Sequence, residues 1–184
     1  MKGIIFTEFM DLVEDRFGLD VVDQILDSAE DSGIYTTVGS YDHKQLVKLI
    51  IELSKITELP AETLQQVFGQ SVFKNLYSTL PPSASLSECK NSFQFVRLVE
   101  DYIHIEVKKL YPEANPPKFE FISESESELV FDYKSVRCMS HVCFGLVQGC
   151  ADHFGEVIDI SMSEQSKDNS HVRFQLSLVE KLNG

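Results

Sequence analysis

The stretch Asn91–Pro117, NSFQFVRLVEDYIHIEVKKLYPEANPP, decides how the rest of the chain is organised. Up to Leu110 it contains good helix formers and neither Gly nor Pro, which predicts a helix. Its apolar residues fall on one arc of roughly 180° at 100° per residue. They are Phe93, Val96, Val99, Tyr102, Ile103, Val107 and Leu110. The helix must end before Pro112, and Pro116-Pro117 then keeps the following residues extended.

His104 lies at the edge of this apolar arc and is therefore the polar group that faces the interior. A histidine that faces an apolar cavity and precedes a stiff double proline fits a proximal haem ligand. The alternative is a histidine at the edge of the core, hydrogen-bonded to a backbone carbonyl. The helix alone leaves both interpretations open.

The composition limits the class of protein. A chain of 184 residues predicts one domain or at most two small ones, and 43% hydrophobic residues predict a globular core. A formal charge of −13 disfavours nucleic acids and anionic membrane surfaces as partners. No apolar run reaches the roughly 18 residues of a membrane span. Thr7 and Glu8 interrupt the apolar start, unlike a signal peptide, so we expect a cytoplasmic protein.

The four cysteines are sparse and form no CxxC motif, so we expect reduced thiols. Cys138-x-x-His141 and Cys150-x-x-His153 have the spacing of zinc ligand pairs. In one helix over 139–154, however, the two pairs would lie about 18 Å apart. A single ion with ligands at about 2.0–2.3 Å cannot join them, so we do not expect zinc.

The periodicity of the remaining chain predicts an α+β fold. Helices are predicted over residues 2–17, 20–31, 43–56 and 60–77, while 34–41 stays unassigned and 80–87, LPPSASLS, is predicted as a linker. After Pro117 the period changes to 2, which predicts strands around 119–121 and 129–133 joined by an acidic turn. A helix over 139–154 and strands over 156–162 and 171–178 follow. A helical part (about 1–111) thus precedes a part (about 117–180) with a small antiparallel sheet and a helix.

Tyr133, Ser135 and Arg137 stand at alternate positions where a strand runs into a turn. Alternation would point all three side chains to one face, about 6.6–7 Å from one to the next. A guanidinium fork and two hydroxyl groups would form a clamp for carboxylates, including haem propionates. An ordinary polar strand face that points to solvent is the alternative.

The order and spacing of these motifs resemble the H-NOX (haem-nitric oxide/oxygen-binding) family over essentially the whole chain. The resembling motifs are His104, Pro116-Pro117, Tyr133-x-Ser135-x-Arg137, Gly145-Leu146-x-x-Gly149, Met1-Lys2-Gly3 and Phe68-Gly69. The resemblance implies one domain, 1–184, with a four-stranded sheet and haem b between its helical and sheet-containing parts.

The resemblance also implies a role for individual residues. His104 would be the proximal iron ligand, and Tyr133, Ser135 and Arg137 would hold the propionates. Pro117 would press on and distort the porphyrin. Ile5 and Leu146 would contact the haem through apolar side chains.

Gas selectivity in the family depends on a tyrosine five residues after the motif arginine, which donates to bound oxygen. This chain has Val142 there, so the resemblance implies binding of NO and CO but not O2. Phe9 is expected in the same apolar wall. The neighbours His141 and Cys143 are displaced by about 100° per residue on the helix. Some members carry a Cys/His zinc site after the arginine, but Ser140 stands where that cysteine would fall, so zinc is not implied.

The expected function is that of a bacterial, stand-alone haem sensor of NO rather than an enzyme. Weakening of the Fe–His104 bond would release the His104 helix and bias a two-state element. The resemblance implies a histidine kinase or a diguanylate cyclase as the separate signalling partner. A haem enzyme such as a peroxidase or NO-consuming oxygenase is disfavoured, because it needs a distal acid–base group. A haem-free interaction module with a structural His104 is the other alternative.

Overall fold

The computed structural model describes residues 1–182 and has the predicted α+β architecture. The helical part begins with α1 (Gly3–Phe17), α2 (Leu19–Ala29), α3 (His43–Thr57) and α4 (Ala61–Ser78). Their apolar faces enclose a first core that includes Phe6, Phe9, Ile25, Leu46 and Phe68. These helix boundaries lie within one or two residues of those predicted. No helix in the described range is long and apolar enough to cross a membrane.

The unassigned segment 34–41 is a loop that closes over the start of α1. The Gly3 amide donates to the Gly39 carbonyl at 2.9 Å, and the Ile4 amide donates to the Thr37 carbonyl at 3.1 Å. A Cβ on Gly3 would lie 1.8 Å from the Thr36 carbonyl oxygen, so only glycine permits this approach. The loop thereby fixes the N-terminus of α1.

The prediction of an unstructured linker over 80–87 is wrong in part. A short helix, α5 (Ala84–Glu88), begins there, and the Ser83 hydroxyl caps it by accepting from the Leu86 amide at 3.1 Å. Serine is a helix breaker inside a helix but a favoured N-cap at its start. Ser83 therefore starts a helix at a position where serines and prolines predicted an irregular linker.

The prediction of one regular helix over 91–110 is also corrected. The segment divides into α6 (Ser92–Leu98), a π-helical turn (Val99–Ile103) and α7 (His104–Leu110). A π turn adds a residue and so rotates the following side chains by about 100° relative to a regular helix. Leu110, the last residue of α7, is 72% exposed although the regular arc predicted it to be buried.

The sheet contains β1 (Lys118–Glu124), β2 (Glu128–Lys134), β3 (Glu156–Glu164) and β4 (His171–Lys181). The strands are antiparallel neighbours in the order β1-β2-β4-β3. The connection between β2 and β3 contains α8 (Ser140–Phe154). A second core on the inner face of the sheet includes Leu129, Phe131, Phe174 and Leu176, each fully buried.

Helices α4 and α8 cross at glycines. A Cβ on Gly145 of α8 would lie 2.0 Å from the Gln66 carbonyl oxygen, and a Cβ on Gly69 of α4 would lie 2.2 Å from the Val142 carbonyl oxygen. Both contacts are with backbone atoms, which cannot move aside as a side chain can. The Phe68-Gly69 and Gly145-Leu146 motifs of the sequence therefore serve this close crossing.

We predict that Gly145→Ala destabilises the protein by about 1–3 kcal/mol, because the added methyl group forces the helices apart. An ordinary glycine-to-alanine change inside a helix stabilises by about 0.5–1 kcal/mol, so the sign of the effect is diagnostic. Urea unfolding monitored by circular dichroism measures it. Ser71→Ala on the exposed side of α4 is the control, expected to change little. A Gly145→Ala protein as stable as the wild type would contradict the crossing.

Candidate functional site

A cavity of about 760 Å³ lies where the helical part meets the sheet-containing part. Ile5, Val142 and Leu146 line it and pack against the first core. Phe119 and Val99 line it and belong to, or pack against, the second core. The cavity has the size and the apolar character of a site for a cofactor or drug-sized ligand.

His104 is the one histidine of the described residues that lines this cavity. Its Nδ1 lies 2.9 Å from Glu100 Oε2. Because an ionised carboxylate only accepts, Nδ1 carries the hydrogen and Nε2 keeps its lone pair. The alternative predicted for His104 was a hydrogen bond to a backbone carbonyl. The hydrogen-bond acceptor is instead the Glu100 carboxylate.

Burial lowers the pKa of His104, although the hydrogen bond to Glu100 opposes this effect. The lowered pKa favours the neutral imidazole, which is the form that binds a metal.

The other histidines have different neighbours. His43 Nδ1 lies 3.3 Å from Asp42, His141 Nδ1 lies 3.1 Å from Gln66 Nε2, and His171 Nε2 lies 2.9 Å from Asp132. The His153 ring packs 4.2 Å from that of Tyr77. None of these four is among the residues described as lining the cavity.

The predicted row of Tyr133, Ser135 and Arg137 is built differently from a strand face. Strand β2 ends at Lys134, so Ser135 and Arg137 lie in the turn that follows. The Ser135 hydroxyl accepts from the Arg137 amide at 3.2 Å. All three residues nevertheless line the cavity.

The charge of Arg137 has no partner in the described part of the chain. Arg137 is partly buried, and no ion pair or side-chain hydrogen bond of its guanidinium is found among residues 1–182. Burial lowers the pKa of Arg137 and raises the pKa of Tyr133. The Tyr133 hydroxyl also interacts with Ser135. An uncompensated guanidinium beside two hydroxyl groups at an apolar cavity is a site for a carboxylate.

Two further cations lie at the same edge. The Met1 amino group donates to the Tyr41 carbonyl at 2.6 Å, and its pKa is lowered by burial and by the nearby Arg137. Met1 and Lys2 both line the cavity. Three cationic groups, those of Met1, Lys2 and Arg137, thus lie near one another at this edge, beside the carboxylate of Asp42, in a chain with a net charge of −13.

Comparison with known proteins identifies the family. A family model described as Haem-NO-binding matches residues 2–162. The chain belongs to the H-NOX family. A comparison with curated proteins gives no match.

Solved H-NOX structures cover nearly the whole chain. The unliganded Fe(II) H-NOX protein from K. algicida is 34% identical with a TM-score of 0.91, and the match covers 100% of both chains. An H-NOX from Shewanella woodyi in the Fe(II)CO state is 35% identical with a TM-score of 0.80, covering 100% of this chain and 97% of the other. An H-NOX from S. oneidensis in the Fe(II)NO state is 25% identical with a TM-score of 0.85, covering 98% and 100%. The fold is that of a haem-based gas sensor.

The residues of this cavity fit a haem. The macrocycle is apolar and planar, its iron takes a neutral imidazole, and its two propionates are carboxylates. The apolar walls, His104 and the unpaired Arg137 supply a partner for each of these parts. When bound, a ferrous haem would supply an iron atom that can take a gas molecule.

Four of the other predicted site residues line the cavity, and one does not. Pro117, Ile5, Val142 and Leu146 all line the cavity. Phe9 is not among the lining residues. It is 1% exposed and packs edge-on against Phe68, with ring centroids 5.4 Å apart.

Several residues in or next to the cavity were not predicted from the sequence. Leu80 and Leu86 come from the segment read as a linker. Glu100, the partner of His104, was also missed, although the i, i+4 spacing of the two residues was a readable signal.

We predict that Arg137→Ala speeds haem loss to an apo-globin acceptor by about 10- to 150-fold. The loss of a charge-assisted hydrogen bond of about 1.5–3 kcal/mol gives this range. Arg97→Ala is the matched control, because Arg97 pairs with Glu124 outside the cavity. Equal rates for the two variants would mean that Arg137 holds no propionate.

Proposed function

We propose that residues 1–184 form one domain that senses nitric oxide through ferrous haem b. The observation that carries this proposal is the cavity, which combines one histidine held by a carboxylate with an apolar wall from α1 and α8. In this proposal His104 is the iron ligand, and Tyr133, Ser135 and Arg137 hold the propionates. The cytoplasmic location remains a prediction of the sequence.

The apolar wall supports selectivity for NO and CO over O2. Val142 occupies the position where oxygen-binding members would have a tyrosine, and Ile5 and Leu146 add only hydrocarbon. The first core, which contains Phe9, supports this wall from behind. Pro117 would press on the macrocycle from the segment that leads into β1.

The neighbouring polar residues are poor substitutes for a tyrosine. His141 is engaged with Gln66 and is not among the described lining residues. Cys143 lines the cavity, but a thiol is a weak donor, and burial raises its pKa to about 12. The same lack of an acid–base group argues against a haem enzyme such as a peroxidase.

The signal would pass through the His104 segment, which consists of α6, the π turn and α7. A haem held by His104 would supply an iron atom that takes the gas, and weakening of the bond between this iron and His104 would allow α7 to shift relative to β1. The π turn next to His104 is an irregular element of the kind often found at functional sites. If this segment can adopt two arrangements, ligand binding would shift the equilibrium between them. A histidine kinase or a diguanylate cyclase is the partner that the family resemblance suggests.

The proximal ligand is tested with His104→Gly. The variant should lose the histidine-ligated ferrous spectrum, and added imidazole should enter the vacated space and restore haem binding. His141→Gly is the control, since His141 is not among the lining residues. A His104→Gly protein with the wild-type spectrum and no imidazole would show that another group binds the iron.

Gas selectivity is tested by exposing the reduced protein to air. We expect stable ferrous NO and CO complexes and no oxy complex in air-saturated buffer. Bound O2 is strongly polarised and needs a donor worth about 1.5–3 kcal/mol, or about 10- to 150-fold in affinity. A persistent oxy spectrum would overturn the assignment.

Val142→Tyr should raise the O2 affinity by up to about 10- to 150-fold if the tyrosine hydroxyl reaches the bound gas. Val142→Phe adds the ring without the donor and is the matched control. An equal O2 affinity in the two variants would attribute the effect to size rather than to hydrogen bonding.

A further inference from the structure

We propose that Glu100 is the positioning residue of the haem ligand, with a carboxylate that fixes the tautomer of His104 and strengthens its bond to iron. This inference rests on the proposed function, in which His104 binds haem iron. It adds a residue outside the motifs that identify the family in this chain.

The first observation is the geometry of one oxygen atom. Glu100 Oε2 lies 2.9 Å from His104 Nδ1 and accepts the backbone N–H of Phe119 at 3.0 Å. The Glu100 side chain is 22% exposed and that of His104 is 14% exposed, so solvent screens this contact only partly. A carboxylate held by a second donor cannot turn away from the imidazole without losing that bond.

The second observation is the backbone on which Glu100 lies. Glu100 belongs to the π turn, and His104 is the first residue of α7. The ring of Phe119 meets the imidazole edge-on, with centroids 5.4 Å apart and planes at 72°. The imidazole is therefore fixed by a hydrogen bond and by a ring contact, and both involve the start of β1.

The chemical effect follows from the charge of the acceptor. A metal-bound histidine that donates its other N–H to a carboxylate keeps one tautomer and becomes a stronger electron donor. An ionised acceptor makes this hydrogen bond stronger than a neutral one would. Glu100 would thus set how strongly His104 holds the iron, and hence how readily His104 is released when the iron takes a gas ligand.

The shared oxygen atom also gives His104 a defined connection to the sheet. A displacement of the imidazole changes a hydrogen bond whose other branch is the Phe119 amide in β1. Glu100 is thus a link between the iron ligand and the sheet-containing part of the molecule.

The test is the Fe–His stretching band in resonance Raman spectra of the ferrous, unliganded holoprotein. Glu100→Gln keeps the shape and can still accept, but it lacks the charge, so the band should move to lower wavenumber. Glu100→Ala removes the acceptor and should move it further. In the CO complexes, the equilibrium between histidine-bound and histidine-free forms should shift toward the free form by roughly 10- to 100-fold for Glu100→Ala.

Asp101→Asn is the matched control, because it removes one exposed carboxylate from the same π turn. Its band should coincide with that of the wild type, and circular dichroism should show that all variants are folded. A wild-type protein without an Fe–His band would overturn the proposed function, and this inference with it. A wild-type band that stays unmoved in Glu100→Gln and Glu100→Ala would overturn the role of Glu100 alone.

Discussion

The attachment of the His104 segment to the sheet through two carboxylates is the constraint on which the site depends. At its beginning, Glu156 of β3 accepts from the Ser92 amide at 2.9 Å and from its hydroxyl at 2.6 Å, in a fully buried contact. Further along, Glu100 accepts from the Phe119 amide of β1. These contacts join opposite edge strands of the sheet to one segment, so the part of this segment between Ser92 and Glu100 is attached to both edges of the sheet.

The opposite boundary of the cavity depends on the glycine crossing of α4 and α8. Because the backbones of the two helices touch at Gly69 and Gly145, Val142 and Leu146 reach the cavity from the turns on either side of the contact. Bulkier residues at the crossing would move this wall as a whole. The glycine motifs thus serve the site through geometry, although glycine itself has no side chain to contribute.

The sequence predicted regular elements well because periodicity reports burial of one face. The apolar wall of Ile5, Val142 and Leu146 was inferred from the resemblance to the family, whereas the strands and most helices followed from periodicity. It failed where local hydrogen bonds or an added residue override the period. The Ser83 cap, the π turn before His104 and the turn that carries Ser135 and Arg137 are the examples. Phe9 shows a related limit, since a helical face that points inward does not say whether a side chain reaches a cavity or lies behind its wall.

The glycine crossing also places α8 between the two cores of the molecule. Met139, just before α8, belongs to the first core, and Val142 and Leu146 pack against it. Cys143 and Val147 of the same helix belong to the second core, so α8 is shared by the two halves. Residues with positive φ flank α8, namely Cys138 at 52° and Gly155 at 64°. Arg137 directly precedes the first of these two residues, so an anion held by its guanidinium would also be attached to the chain at the entry to α8.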